Sequence, residues 1–144
     1  MSLFGFDLQA PPDGTWTLVD GLPHLISAQA AGHLSRLDRT FECAWCTGWK
    51  DRSERLDGLL GLDLRWPYVP IDGPPGDGVH WKLGAIERYA DAERPLAWID
   101  DRFDGSCDRW AAQRPGPTLL VATDPAVGLT AGHVIRLEAW AAEL

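Results

Sequence analysis

The chain has 144 residues, 45% hydrophobic and 24% charged, which is enough for one domain with a real core. Thirteen basic residues against 21 acidic ones give a net charge of −8, which argues against a surface built for nucleic acid or an anionic membrane. No apolar run approaches the ~18 residues of a membrane span. The opening Met1 to Phe6 lacks the regions of a signal peptide, so a cytoplasmic location is expected.

Residues 1–14 read as irregular, with a turn at Pro11-Pro12-Asp13-Gly14. Thr15–Val19 and His24–Ile26 flank Asp20-Gly21 and predict a β-hairpin. Ser27 is placed to cap a helix running to Asp38, with Ala30, Leu34 and Leu37 on one face. A strand is expected over Phe41–Cys46, a helix over Arg52–Leu60 stopped near Gly61, and a short strand over Trp66–Ile71. Asp72–Gly78 is Gly/Pro-rich and reads as a loop. A helix follows over Trp81–Tyr89, with Leu83, Ile86 and Ala90 together. Leu96–Ile99 and Thr118–Ala122 are apolar runs of strand length. Between them Asp104 caps a helix carrying Cys107, Trp110 and Ala111. Thr130 caps the last helix, with Val134, Leu137, Ala141 and Leu144 facing inward. Strands alternating with helices predict βαβ units and a parallel sheet.

Three cysteines, Cys43, Cys46 and Cys107, do not make a disulfide framework. Cys43-Ala-Trp-Cys46 has redox spacing, but residues three apart on a strand point to opposite faces. A redox pair also needs a helix N-terminus to lower one thiol, and zinc would need two more ligands. Buried structural cysteines are the expectation.

The chemistry gathers at strand ends. Leu96–Ile99 runs straight into two carboxylates, Asp100 and Asp101. In open α/β sheets the ligand crevice lies at the carboxyl ends of the strands. Paired acids there suit a hard cation such as Mg²⁺. Thr47 ends the Phe41–Cys46 strand, and Lys82 opens a helix after the Gly-rich loop. Each has an ordinary reading: a Thr that makes a turn, a solvated first-turn Lys, a solvated Asp-Asp turn. Taken in order, a hydroxyl, an ammonium and two acids suit a phosphate bound beside Mg²⁺.

These residues resemble the haloacid dehalogenase (HAD) superfamily, in its small actinobacterial-type branch. The stretches that carry the resemblance are residues 2–6, 18–24, 43–49, 80–82, 96–101 and 119–125, nearly the whole length of the chain. The resemblance implies a three-layer, Rossmannoid α/β fold with a parallel sheet, one domain over 1–144, and a hairpin flap over 15–26. It implies Thr47 as the hydroxyl on the phosphoryl oxygen, Lys82 as the neutralising cation, and Asp100 and Asp101 as Mg²⁺ ligands. The implied activity is Mg²⁺-dependent hydrolysis of a small phosphomonoester.

One departure outweighs these matches. HAD enzymes carry a nucleophile in an Asp-x-Asp-Gly motif at the end of the first strand. That motif precedes the segment that here is residues 2–6, and the chain contains no Asp-x-Asp. The first strand is therefore expected to be missing, and the 144-residue chain to be inactive. Trp16-Thr-Leu-Val-Asp20-Gly21 imitates the motif, but position 22 is Leu and the region reads as the flap, which sets Asp20 aside as nucleophile. Ser53-Glu54 departs from the branch's usual Ala-Asn and puts the substrate pocket in question. A non-catalytic HAD-like binding protein is the alternative reading. A homodimer is a further expectation, because an open sheet invites strand pairing.

Overall fold

The computed structural model describes residues 13–19, 22–49, 58–72 and 79–144. The fold is mixed α/β, and the named strands form two separate two-stranded sheets. The first is the expected hairpin. β1 (Gly14–Val19) pairs antiparallel with β2 (Leu22–Ser27), Gly14 opposite Ser27 and Val19 opposite Leu22. The Asp20-Gly21 turn read from the sequence lies outside the described residues.

Because β2 continues through Ser27, the next helix starts later than the sequence suggests. α1 spans Ala30–Asp38, and Gln29 rather than Ser27 occupies its N-cap without a side-chain bond. Ser27 Oγ instead accepts the Gln29 N–H at 3.3 Å. The predicted face is correct: Ala30, Leu34 and Leu37 are buried.

The expected strands over Phe41–Cys46 and Trp66–Ile71 shrink to one parallel bridge between Trp45 and Tyr68. The Trp45 N–H donates to the Pro67 carbonyl (2.8 Å) and the Val69 N–H to the Trp45 carbonyl (2.7 Å). One physical reason lies in Pro67, which has no N–H to give the Cys43 carbonyl, so the ladder cannot extend toward Phe41. Of the helix expected over Arg52–Leu60, the described part is a last turn, residues 58–60, ended by Gly61 at φ +66°, a conformation that suits glycine.

The second half follows the sequence closely. α2 (Leu83–Tyr89) leads to β3 (Leu96–Asp100), α3 (Gly105–Gln113) and β4 (Thr118–Ala122). β3 and β4 pair in parallel, Leu96 opposite Thr118 and Asp100 opposite Ala122, so β3–α3–β4 is a βαβ unit. Asp104 caps α3 by accepting the Ser106 N–H at 2.8 Å. α4 (Ala131–Ala141) starts in a capping box between Thr130 and His133. Val134 and Leu137 are buried as expected. Leu144 is not: the helix ends at Ala141, and Leu144 is exposed.

Two apolar clusters fix the layers. In the first, Ala30, Leu34 and Leu37 of α1 and Val134 and Leu137 of α4 meet Val121, Trp45 and Trp66, with Cys43, Ala97, Ile99 and Leu119 against them. In the second, Leu83 and Ile86 of α2 and Cys107 and Trp110 of α3 meet Trp98, with Cys46, Leu96 and Leu120 packed on. Successive strand residues point to opposite faces, so β3 and β4 carry α1 and α4 on one side and α2 and α3 on the other. In the segment 43–46, Cys43 and Trp45 join the first cluster, while Ala44 and Cys46 face a third, formed by Val69, Ile71 and Ala85, with Cys46 also on the second. No helix among the described residues is long and apolar enough to cross a membrane.

The cysteines follow this alternation. Cys43 and Cys46 are unpaired and face opposite clusters, but they are half-buried rather than fully buried; Cys107 is buried. Burial, with the Asp38 charge, pushes the Cys43 thiol up to about 12. Burial likewise raises Cys46 to about 11, with the Lys82 charge opposing and the Asp100 charge adding. Thiols held in the protonated form are poor nucleophiles. Iodoacetamide at neutral pH should therefore alkylate both at least ~100-fold more slowly in the native than in the urea-unfolded chain. Equal rates, followed by mass spectrometry, would contradict this packing. Leu34, fully buried between α1 and α4, sets the second expectation: Leu34→Ala should lower unfolding stability by about 2–5 kcal/mol in a denaturant titration.

Candidate active site

The site is built on the last residue of β3. Asp100 is 2% exposed, and each of its oxygens has two donors. Oδ2 accepts from Lys82 Nζ at 2.6 Å and from Trp98 Nε1 at 3.2 Å. Oδ1 accepts the backbone N–H groups of Asp101 (3.0 Å) and Arg102 (3.2 Å). Trp98 can serve because residues two apart on a strand share a face. The backbone donors are available because the chain leaves β3 directly after Asp100.

Lys82 is held from the other side. It is buried, and it is the N-cap residue of α2. Its backbone N–H donates to His80 Nδ1 at 3.3 Å. The His80 N–H donates to Ser106 Oγ at 2.9 Å, and Ser106 Oγ donates to the Asp104 carboxylate. The loop before α2 is thereby tied to the start of α3. The His80 ring stands edge-on to Trp98 at 5.1 Å, and Trp98 in turn meets Phe103 and Trp110 edge-on. Burial acts to raise the Asp100 carboxyl. Surrounding positive charge, with the Lys82 hydrogen bond and charge, outweighs it and holds the carboxyl below the ordinary carboxylate value.

The other expected residues sit around this pair. Thr47 is half-buried, and its Oγ1 accepts the Trp49 N–H at 3.3 Å, a turn-forming bond. Its neighbour Cys46 feels the charges of both Lys82 and Asp100, which puts this strand end beside the ion pair. A Cβ on Gly48 would lie 3.5 Å from the Trp81 ring. Asp101 is half-buried and enters the network through its backbone N–H. Asp20, the set-aside nucleophile, lies outside the described residues, as do Ser53 and Glu54.

Sequence reading missed His80, Trp98, Ser106 and Asp104 as parts of the site. Trp98 could have been found from its i, i+2 spacing to Asp100. The His80 and Ser106 contact joins positions 26 apart and has no local signal.

The residues do not fit Mg²⁺ as arranged. Among the described residues no three His, Cys, Asp or Glu side chains group to hold a metal. The four lone-pair directions of the Asp100 carboxylate are matched by four donors. A cation there would have to displace Lys82, Trp98 or the backbone.

No family model matches the chain, and no curated protein or solved structure matches it significantly. The chemistry of the site therefore has to carry the functional reading.

Removing one partner of a buried pair strands the other. Asp100→Asn or Lys82→Met should each lower stability by about 3–5 kcal/mol, while Lys82→Met with Asp100→Leu should cost clearly less than the sum. Additive losses in urea unfolding would contradict direct coupling. The pH dependence has a definite sign. The folded Asp100 value lies below the unfolded one, so its contribution is complete above about pH 4 and fades as pH falls through the lower folded value. In Lys82→Met this acid-dependent loss should shrink.

Proposed function

We propose that the chain is a HAD-like, three-layer phosphate-binding domain of the phosphomonoester hydrolase class, which binds its ligand without turning it over. The observation that carries this reading is the buried Lys82–Asp100 pair at the carboxyl end of β3, with the Thr47 turn beside it. Helices on both faces of the parallel strands support the layered architecture.

The roles follow from donor counts. Lys82 has three N–H donors and gives one to Asp100, so the rest can reach a phosphate oxygen. The Thr47 hydroxyl donates to a second oxygen while keeping its turn bond as acceptor. Asp100 fixes the ammonium in place. None of these groups can attack phosphorus as a positioned carboxylate would, and the sequence has no Asp-x-Asp to do so. Mg²⁺, which the resemblance implies for Asp100 and Asp101, would bring charge neutralisation and Lewis acidity. Its ligand set is not complete in these residues, and no step is assigned to it.

A specific observation also favours the second reading, a non-catalytic HAD-like binding protein. Asp100 is fully satisfied without a cation, so the arrangement persists as a binding site.

Incubated with Mg²⁺ and p-nitrophenyl phosphate, the 144-residue chain should release no p-nitrophenol above background. Inorganic phosphate should still bind in calorimetry, and Lys82→Met should weaken it about tenfold or more by removing a charged donor. Robust turnover that disappears in Asp20→Asn would contradict the proposal and make Asp20 the nucleophile.

A further inference from the structure

We infer that the ligand of this site is a phosphate ester carrying a planar aromatic group, and that Trp81 is the surface on which that group stacks. This rests on the phosphate-binding reading above.

The observation behind it is an indole in an unusual place. Trp81 directly precedes Lys82 and is 42% exposed, although tryptophan is a residue that normally buries its ring. Lys82 Nζ lies 5.1 Å from the centroid of that ring. The ring also comes up to the Thr47 turn at Gly48, where a Cβ would sit in ordinary van der Waals contact with it at 3.5 Å. One indole therefore lies close to both elements assigned to the phosphate, with Lys82 Nζ over its ring and Gly48 of the turn beside its edge.

Its neighbours do not offer an equivalent ring. Trp49, on the other side of the turn, stands edge-on to His24 of β2 at 5.3 Å and packs on the first apolar cluster. Trp98 is buried and is bounded by His80, Phe103 and Trp110. Among the described residues, Trp81 is the ring at this edge that combines exposure with closeness to Lys82. The cation beside it favours an electron-rich face, and a flat ring of the ligand laid there meets the indole without disturbing the ion pair. A purely structural cation–π contact would need the Lys82 side of the ring alone; it would not need the rest exposed.

Stacking of a ring on an aromatic side chain is worth roughly a 5- to 100-fold gain in binding. Calorimetry on the full 144-residue chain with inorganic phosphate, glycerol 3-phosphate and phenyl phosphate separates the claims. Phenyl phosphate should bind at least about fivefold tighter than glycerol 3-phosphate. Trp81→Leu should erase that difference and leave inorganic phosphate within about twofold, while Trp81→Phe should keep much of it. Circular dichroism checks that each variant is folded. If the two esters bind the wild type equally, or Trp81→Leu weakens inorganic phosphate as much as phenyl phosphate, the stacking surface is wrong and the phosphate site stands. If none of the three ligands binds, both readings fall.

Discussion

A lysine and an aspartate buried together are the constraint on which the rest of this molecule depends. Desolvating one ammonium or one carboxylate costs several kcal/mol, so each is tolerated only because the other is in hydrogen-bond contact. Here the contact is 2.6 Å, with the Asp100 side chain 2% exposed. Even so, attraction alone is insufficient, and the remaining lone pairs must be filled. Trp98 and two backbone N–H groups do this, which fixes where β3 must stop and how the chain must turn after it.

That requirement explains the two apolar clusters as more than generic core. The second cluster holds α2 and α3 against Trp98, and so sets the distance between Lys82 at one helix start and Asp100 at the strand end. The tie from His80 through Ser106 to Asp104 locks the two helix starts to each other. The first cluster carries β3, β4 and the Trp45 segment against α1 and α4, and thereby brings the Thr47 turn to the same place. Under the proposed phosphate-binding reading, this much prior organisation would leave little reorganisation to be done on binding.

Much of this was legible in the sequence where the signals were local. Apolar strand runs, the Asp104 and Thr130 caps and the 3.6-residue periodicity located β3, β4, α3 and α4. The hairpin strands were equally clear from composition. The misses have physical causes. Hydrophobic composition suggested strands at Phe41–Cys46 and Trp66–Ile71, but the pairing is a single bridge, and Pro67 lacks the N–H that would extend it toward Phe41. Ser27 looked like a cap because its residue type is right; the strand pairing of the hairpin claimed it first. Leu144 fitted the helical period but fell beyond the last turn. In the site, Lys82 and Asp100 were found as individual residues. That they would pair with each other was not readable, because it depends on packing between elements 18 positions apart. Two adjacent acids suggested a cation site, yet the partner that holds Asp100 is a lysine.

The most direct measurement is the titration of the Asp100 side-chain carboxyl, followed by its ¹³C NMR shift from acid to neutral pH with and without Mg²⁺. If Lys82 and the N–H donors fill this carboxylate, its midpoint lies below the ordinary aspartate value of about 3.9, rises in Lys82→Met, and does not move when Mg²⁺ is added. An ordinary midpoint, or one that Mg²⁺ displaces, would contradict the claim that a buried lysine–aspartate pair sets the charge of this site.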